Sequence, residues 1–359
     1  MAPLTKRQKT GDGNFNSPIA FPCAGQSPDV RLIVFKQEFH VHSTLLKLNT
    51  AFFRKFLDSP EKAVNDPNGS GEVALVGPMS TFTYEWVTKI DEGGDKWSLV
   101  SDNKKNEPYN LSTYTGDKQE QTNAFEKLLS AIYVQPYKLG TAEELLLMTD
   151  LADYYCALPI LSRTLDGALI NSPTFSDQIQ KSANELYVAA AKLRNALLFR
   201  ECLIWVVGPH NNPVYKTLDD PRLRMVARCA HGEISTKIAS VTARALRRGT
   251  GDWVKMANSK PDRWAYGFDR LMFGPLYDGY YDNMDMDAVH YPRWFRDIEQ
   301  EGDELLDDES GDFEGLLEDK LVLDRGYHTA GDADKYPDNF FCAQVSDEDL
   351  PWDVNETDW

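Results

Sequence analysis

The stretch that most constrains this chain is residues 29–56, where a strand pattern gives way at once to a helical one. Val30–Phe35 is apolar apart from Arg31 and rich in β-branched residues, which predicts a buried strand. A polar break follows at Lys36–Glu38. In Phe39–Val41 apolar residues then alternate with histidine, which predicts a second strand with one buried face. The next apolar residues recur at helical spacing, so the stretch predicts a β-hairpin that leads into a helix over Ser43–Leu57, capped by its first residues.

A second informative stretch lies about a hundred residues further on. Asn123–Tyr133 is amphipathic and predicts a helix. Thr141 and Glu144 have the spacing of a capping box, which predicts a helix that begins there and runs to Tyr155. Pro159 suits the first turn of the helix that follows. The order predicted here is therefore a helix, a short extended segment and two further helices.

Together the two stretches resemble the BTB/POZ domain, over about residues 27–170. The resemblance implies an α+β fold, a short sheet with clustered helices, and a family dimer face on the first helix. The residues that match the family signature are Asp29, Phe39, His42, Leu46, Phe53, Leu151, Ala152, Asp153, Tyr155 and Pro159. The candidates that the resemblance places on the dimer face are Leu45, Leu48, Phe52 and Phe56.

Two strand-like segments lie between these stretches. Residues 72–76 predict a third strand. Residues 82–100 predict a hairpin, which is similar to an insertion found in a fungal subgroup of BTB proteins. We expect Trp86 and Trp97 to pair across this hairpin in an aromatic cluster.

The rest of the chain divides by composition. Residues 1–26 are rich in Gly, Pro, Ser and Asn and predict a disordered tail. Helical patterns within residues 175–248, with one long helix over Ser182–Val207, resemble the helical BACK extension that follows many BTB domains. Residues 249–359 are rich in aromatic and acidic residues, and we expect irregular structure with apolar anchors that dock near the end. The sequence contains no internal repeat.

Charge is the clearest restriction on partners. The net charge is −18, and residues 280–359 alone carry 25 acids and 5 bases. Because such a chain repels phosphates, we expect no direct nucleic-acid binding. No apolar run is long enough to span a membrane, so no membrane partner is expected either.

The five cysteines are scattered, and none forms a Cys-x-x-Cys pair. This usage predicts reduced, buried thiols in an intracellular protein of the cytoplasm, the nucleus or both. The basic cluster Lys6–Lys9 fits either a nuclear-import signal or a solvated tail.

Candidate chemistry is sparse. His40 and His42 stand at a spacing that places both on one strand face, but no third ligand follows, so a structural role for His42 at the start of the helix is favoured over metal binding. No nucleophile-elbow, phosphate-loop or dinucleotide motif occurs, and we expect neither catalytic residues nor a cofactor. The acidic block 301–319 lacks the ligand order of a calcium loop and predicts a solvated loop.

Two uses known in the BTB family each lack a feature here. The charged pocket of BTB repressors pairs an Asp, here Asp29, with a basic residue, and Ser43 stands at that second position. The resemblance thus implies no corepressor pocket, and a strand-end role for Asp29 is at least as well supported. The apolar-x-Glu motif of cullin-binding adaptors is degraded, because Ser59 stands two residues before Glu61.

These observations predict a non-enzymatic protein–protein interaction module that acts through homodimerisation or through docking of a protein partner. One alternative is a substrate adaptor that binds a cullin in a ubiquitin ligase. Another is an enzyme with a site in the aromatic region 253–295. The residues that could line that site are Asp262, Asp269, His290 and Arg293.

Overall fold

The structure, a computed structural model, describes residues 16–57, 82–102, 110–208, 212–259, 295, 316–318, 320–323, 341–356 and 359, with side chains only to 243 in the helix that ends at 259. The chain divides into two compact units, Met1–Tyr137 with Leu147–Leu161, and Lys138–Leu146 with Ser162–Trp359. No helix in the described ranges combines the length and the apolar character needed to cross a membrane.

The elements follow one another as five strands and nine α-helices within the described residues. The strands are β1 (Ile19–Ala20), β2 (Val30–Val34), β3 (Gln37–Val41), β4 (Tyr84–Ile90) and β5 (Trp97–Ser101). The helices are α1 (Ser43–Asn49), α2 (Ala51–Leu57), α3 (Lys118–Ile132), α4 (Ala142–Tyr154), α5 (Leu158–Ile170), α6 (Ser176–Lys181), α7 (Ala183–Leu193), α8 (Ala196–Val207) and α9 (Pro221–Ser259).

The strands form one sheet in the order β1-β3-β2-β4-β5. β2 pairs antiparallel with β3 and parallel with β4, while β4 and β5 form an antiparallel hairpin. The predicted α+β class is therefore confirmed. The predicted strand at 72–76 lies outside the described residues.

The first hairpin is tighter than the sequence indicates. Gln37 and Glu38 belong to β3, and the turn consists of Phe35 and Lys36 alone. Phe35 has φ 53°, a left-handed conformation that is uncommon for a residue with a side chain. Its ring is buried against Trp97 and Tyr114. This aromatic packing gives a physical reason for an aromatic residue at a turn position that a glycine normally takes.

The hairpin at 82–100 is part of the sheet, because β4 bonds directly to β2. The predicted pairing of Trp86 with Trp97 is wrong: Trp97 stands opposite Ile90, and Trp86 stands opposite Ser101. The two indoles lie on one face and contact different rings, and Tyr155 connects the two sets of rings. Trp86 contacts Phe53, and Trp97 contacts Phe35 and Phe125.

Part of the predicted tail is ordered. Residues 19 and 20 form β1, which pairs parallel with β3. Phe21 is buried, and its ring contacts Phe39 and Tyr133. The low-complexity composition of residues 1–26 concealed this one aromatic anchor, so the prediction of disorder is wrong for this part. The basic cluster at Lys6–Lys9 lies outside the described residues.

Three helix boundaries differ from the predictions because polar caps were overlooked. α3 begins at Lys118, five residues before the predicted start at Asn123, and the carboxylate of Asp117 there accepts from the N–H groups of Gln119 and Glu120. The predicted helix over Ser43–Leu57 is two helices, and the helix over Ser182–Val207 is also two. At Thr141 the predicted cap is confirmed, since its hydroxyl accepts from the Glu144 N–H.

The second unit is helical in its described residues. α7 ends at Leu193 and is followed by Arg194, whose φ is 53°, and Asn195 caps α8 by accepting from the Leu198 N–H. α9 continues through Gly249 to Ser259, so the expected change to irregular structure at residue 249 is wrong for this part.

All five cysteines are free thiols. Cys202 and Cys342 are buried as predicted, and burial raises the pKa of the Cys202 thiol. Cys156 and Cys229 are exposed, contrary to the expectation of buried thiols. Cys156 lies just past the end of α4, where the backbone turns left-handed and directs the residue outward.

Candidate interaction surface

Asp29 connects the sheet to the first helix. Its carboxylate accepts from the backbone N–H of Ser43 at 2.7 Å and from the Ser43 hydroxyl at 2.5 Å. Its backbone bonds to Val41 of β3 and to Tyr84 of β4. A residue before β2 therefore supplies the cap that Ser43 or Thr44 was expected to provide. These bonds are those of the strand-end role, which the sequence supported at least as well as a charged pocket.

His42 holds the start of α1 from the other side. Its backbone N–H donates to the Tyr133 hydroxyl at 2.7 Å, and that oxygen lies 2.9 Å from Nδ1. The carbonyl of Gln26 lies 3.3 Å from Nε2, which assigns the ring proton to Nε2. Burial raises the pKa of Tyr133, so its hydroxyl stays protonated and donates to Nδ1. The structural role predicted for His42 is observed.

His40 has different partners, so the two histidines do not form one site. Its Nε2 lies 2.6 Å from the Glu38 carboxylate, which also accepts from the Arg31 guanidinium at 3.0 Å. The hydrogen bond from Arg31 lowers the pKa of Glu38. Arg31 also donates to Glu85 on β4. This cluster joins three strands on the polar face of the sheet, and the described residues contain no group of three or more side chains placed to bind a metal.

The α1–α2 face, defined by Leu45, Leu48, Phe52 and Phe56, is the apolar surface that α1 and α2 present. Leu48 is 68 % exposed, and the other three side chains are half-buried. The helices are separated by Thr50, whose backbone is extended and whose hydroxyl bonds to Leu46 and Phe53. Because this break is buried and satisfied, the two helices form a rigid corner.

Phe52 links this face to the core. Its ring lies 5.1 Å from that of buried Tyr155 and 4.8 Å from that of Phe56. It also lies 5.7 Å from Tyr154, which is 51 % exposed. Tyr154 thus extends the apolar face onto α4, and sequence analysis missed it. The family signature marks its buried neighbour Tyr155, whereas no motif in the sequence marks Tyr154.

A basic rim borders the face. Residues 43–57 contain three bases and no acid. The Arg54 guanidinium donates to the carbonyls of Lys47 and Leu48 at the end of α1. The Lys55 ammonium lies 5.5 Å from the centroid of the Phe56 ring. The surface therefore combines an apolar centre with positive charge, which suits an apolar partner with an acidic border.

Two further signature residues, Phe53 and Tyr155, form the support behind this face. The Tyr155 ring stacks on Phe53 at 5.6 Å with an interplanar angle of 2° and contacts Phe125. Its hydroxyl accepts from the Leu99 N–H, and its pKa is raised by burial. Of the remaining signature residues, the structure buries Phe39, Leu46, Leu151 and Ala152, half-buries Pro159 and exposes Asp153.

Several candidates from the sequence lie outside the described residues. They are the cullin-motif positions Ser59 and Glu61, most of the acidic block 301–319, and the four residues of the alternative enzyme site, Asp262, Asp269, His290 and Arg293. Comparisons of this chain with models of protein families, with curated proteins and with solved structures found no match.

Proposed function

We propose that this chain is a BTB/POZ-type interaction module that associates with a second copy of itself through the α1–α2 face. The support comes from the residues that carry the family resemblance. Asp29 and His42 fix the start of α1, while Phe53 and Tyr155 form the packed layer behind it. A rigid apolar corner built in this way suits association through burial of surface.

The exposure of Leu48 is the observation that carries the proposal. A leucine that is 68 % exposed gains up to about 2 kcal/mol when a partner buries it. Phe52, Phe56 and Tyr154 add aromatic surface of the kind that contributes most at interfaces. A single exposed leucine is ordinary, but one that borders three partly exposed aromatic rings indicates an interface.

Sedimentation velocity at micromolar concentration tests the proposal. We expect the chain to form dimers, and we expect Leu48→Glu to raise the dimer dissociation constant at least about tenfold because association then buries an unpaired charge. Met225→Glu is the matched control, since Met225 on α9 is 47 % exposed in the second unit. A monomer at all concentrations, or an equal loss in both variants, contradicts self-association through this face.

The basic rim favours docking of an acidic partner as a second candidate function. Salt distinguishes the two, because screening weakens attraction between opposite charges and relieves repulsion between like charges. If the partner is acidic, its complex with the α1–α2 face weakens as the salt concentration rises. That complex is recognised by its loss in the Leu48→Glu variant. If two copies of this basic face meet, their association holds or strengthens under the same change.

A further inference from the structure

A second surface lies in the helical unit, where residues 341–356 and 359 run over α7 and α8. We call these residues the strap. Phe341, Cys342, Ala343 and Leu350 of the strap are buried. The Phe341 N–H donates to the carbonyl of Gly208, just past the end of α8. The expected docking of apolar anchors is therefore observed.

An aromatic contact holds the middle of the strap. Trp352 meets the ring of Phe199 on α8 edge-on, with the centroids 5.0 Å apart. On its other side the Phe199 ring stacks on Tyr187 of α7 at 4.4 Å. Both Phe199 and Tyr187 are fully buried, so the surface that receives Trp352 is rigid.

Two arginines hold the acidic side chains of the strap. Arg200 on α8 donates to the carbonyl of Val345 and to the carboxylate of Asp347. Arg194, at the end of α7, donates to the carboxylate of Glu356, and its guanidinium lies 4.8 Å from the centroid of the Trp359 ring. The surface formed by α7 and α8 thus contacts the backbone, the carboxylates and an aromatic ring of the strap.

The charge of the strap matches this surface. Residues 341–359 contain six acids and no base. The ion pairs are nevertheless solvent-exposed, since the side chains of Asp347 and Glu356 are 69 % and 49 % exposed. Exposed pairs contribute about 0.2–1 kcal/mol each. The strap also has only one short 3-10 turn of its own, at Asp347–Asp349. The two ion pairs are therefore individually weak, and the buried apolar side chains of the strap supply most of its attachment. The charges add specificity, because they select the segment that binds this surface.

We propose that the α7–α8 surface is a docking site for an acidic, aromatic-containing peptide of another protein, and that the strap occupies it in cis. An external peptide then binds only the fraction of molecules in which the strap is open, so its apparent affinity is its intrinsic affinity multiplied by that fraction. This inference does not depend on the α1–α2 face, which lies in the other unit.

The test uses the full chain and a fluorescent peptide spanning residues 341–359, labelled through a linker before Phe341, with binding followed by anisotropy. Asp347→Arg in the chain turns one ion pair with Arg200 into a repulsion and opens the strap. We expect the peptide to bind this variant about fivefold more tightly than the unaltered chain. Glu348→Arg is the matched control, because it makes the same charge change at the adjacent exposed residue, and we expect no gain.

Exchange of charge on the receiving side gives a second readout. In the Arg200→Asp chain, we expect a peptide carrying Asp347→Arg to bind more tightly than the unaltered peptide, whereas the unaltered chain has the reverse order. Thermal unfolding of each variant checks that it is folded. Equal binding to Asp347→Arg and Glu348→Arg chains, or no inversion with Arg200→Asp, overturns the proposal. A dimer of the chain overturns the proposal as well, if the peptide cannot dissociate it and Asp347→Arg abolishes it. The surface is then occupied by the strap of a second copy.

Discussion

The start of α1 and the strap are both segments held by polar side chains against an apolar layer, but they are held differently. At the start of α1, Asp29 and His42 form hydrogen bonds within a half-buried junction that includes Tyr133. In the strap, Asp347 and Glu356 form ion pairs at the surface. The first set of bonds is shielded from water, and the second competes with it.

The difference indicates which segment can move. Breaking a shielded bond leaves a donor or acceptor without a partner and costs about 1–3 kcal/mol, whereas an exposed ion pair exchanges its partner for water at little cost. We therefore expect α1 to remain fixed while the strap opens locally at a lower free energy than global unfolding. A fixed face suits a permanent interface, and an opening strap suits a competitive one.

The largest effect expected in the fixed region concerns Tyr155. Tyr155→Ala removes a ring stacked on Phe53 and leaves the Leu99 N–H without its acceptor. We expect the free energy of unfolding in urea to fall by about 4 kcal/mol. Tyr154→Ala is the control on the adjacent tyrosine, and with its side chain half exposed it is expected to cost less than about 1 kcal/mol. Equal losses in the two variants are incompatible with a rigid layer behind the α1–α2 face.

The periodicity of the sequence was sufficient for the α+β class and for the hairpin that leads into α1. It failed where a single polar residue ends one helix and starts the next. Thr50 splits the first predicted helix, and Asn195 splits the helix expected over Ser182–Val207. The apolar spacing continues across both breaks, so the hydrophobic pattern carries no sign of them. Thr and Asn are common capping residues at helix ends, so these residue types are the signal from which the two breaks can be predicted.

The candidate surface was predictable in part for a similar reason. Leu48 follows from helical spacing and from the family resemblance, and the structure exposes it. The exposure of Tyr154 depends on how α4 ends. The strap is held by contacts between residues more than a hundred positions apart in the sequence, such as Arg200 with Asp347. Such contacts are set by tertiary packing, which local patterns do not encode.

A smaller effect is expected at Asp29. Asp29→Ala removes both acceptors of Ser43, and we expect it to lower the free energy of unfolding by about 2 kcal/mol. Asp29→Asn keeps an acceptor for the Ser43 N–H and is expected to cost less than half as much. Asp347→Arg in the strap is the comparison, and with its exposed pair we expect a change below about 1 kcal/mol. If Asp347→Arg destabilises the chain as much as Asp29→Ala, the strap is a fixed part of the fold.

The smallest change in the free energy of unfolding is expected at the ends of α3 and α7, which share one backbone geometry. Val134 after α3 and Arg194 after α7 both have φ near 50°, with the same pair of hydrogen bonds closing the helix, and neither is the glycine that this position favours. Val134 is 69 % exposed, so we expect Val134→Gly to relieve backbone strain and raise the free energy of unfolding by about 0.5–1 kcal/mol. Arg194→Gly relieves the same strain but loses the contacts with Glu356 and Trp359. We therefore expect Arg194→Gly to give no net gain in the free energy of unfolding. We also expect the strap to open more readily in this variant, measured as faster amide hydrogen exchange at Phe341. A gain in stability equal to that of Val134→Gly, with unchanged exchange at Phe341, means that Arg194 does not hold the strap.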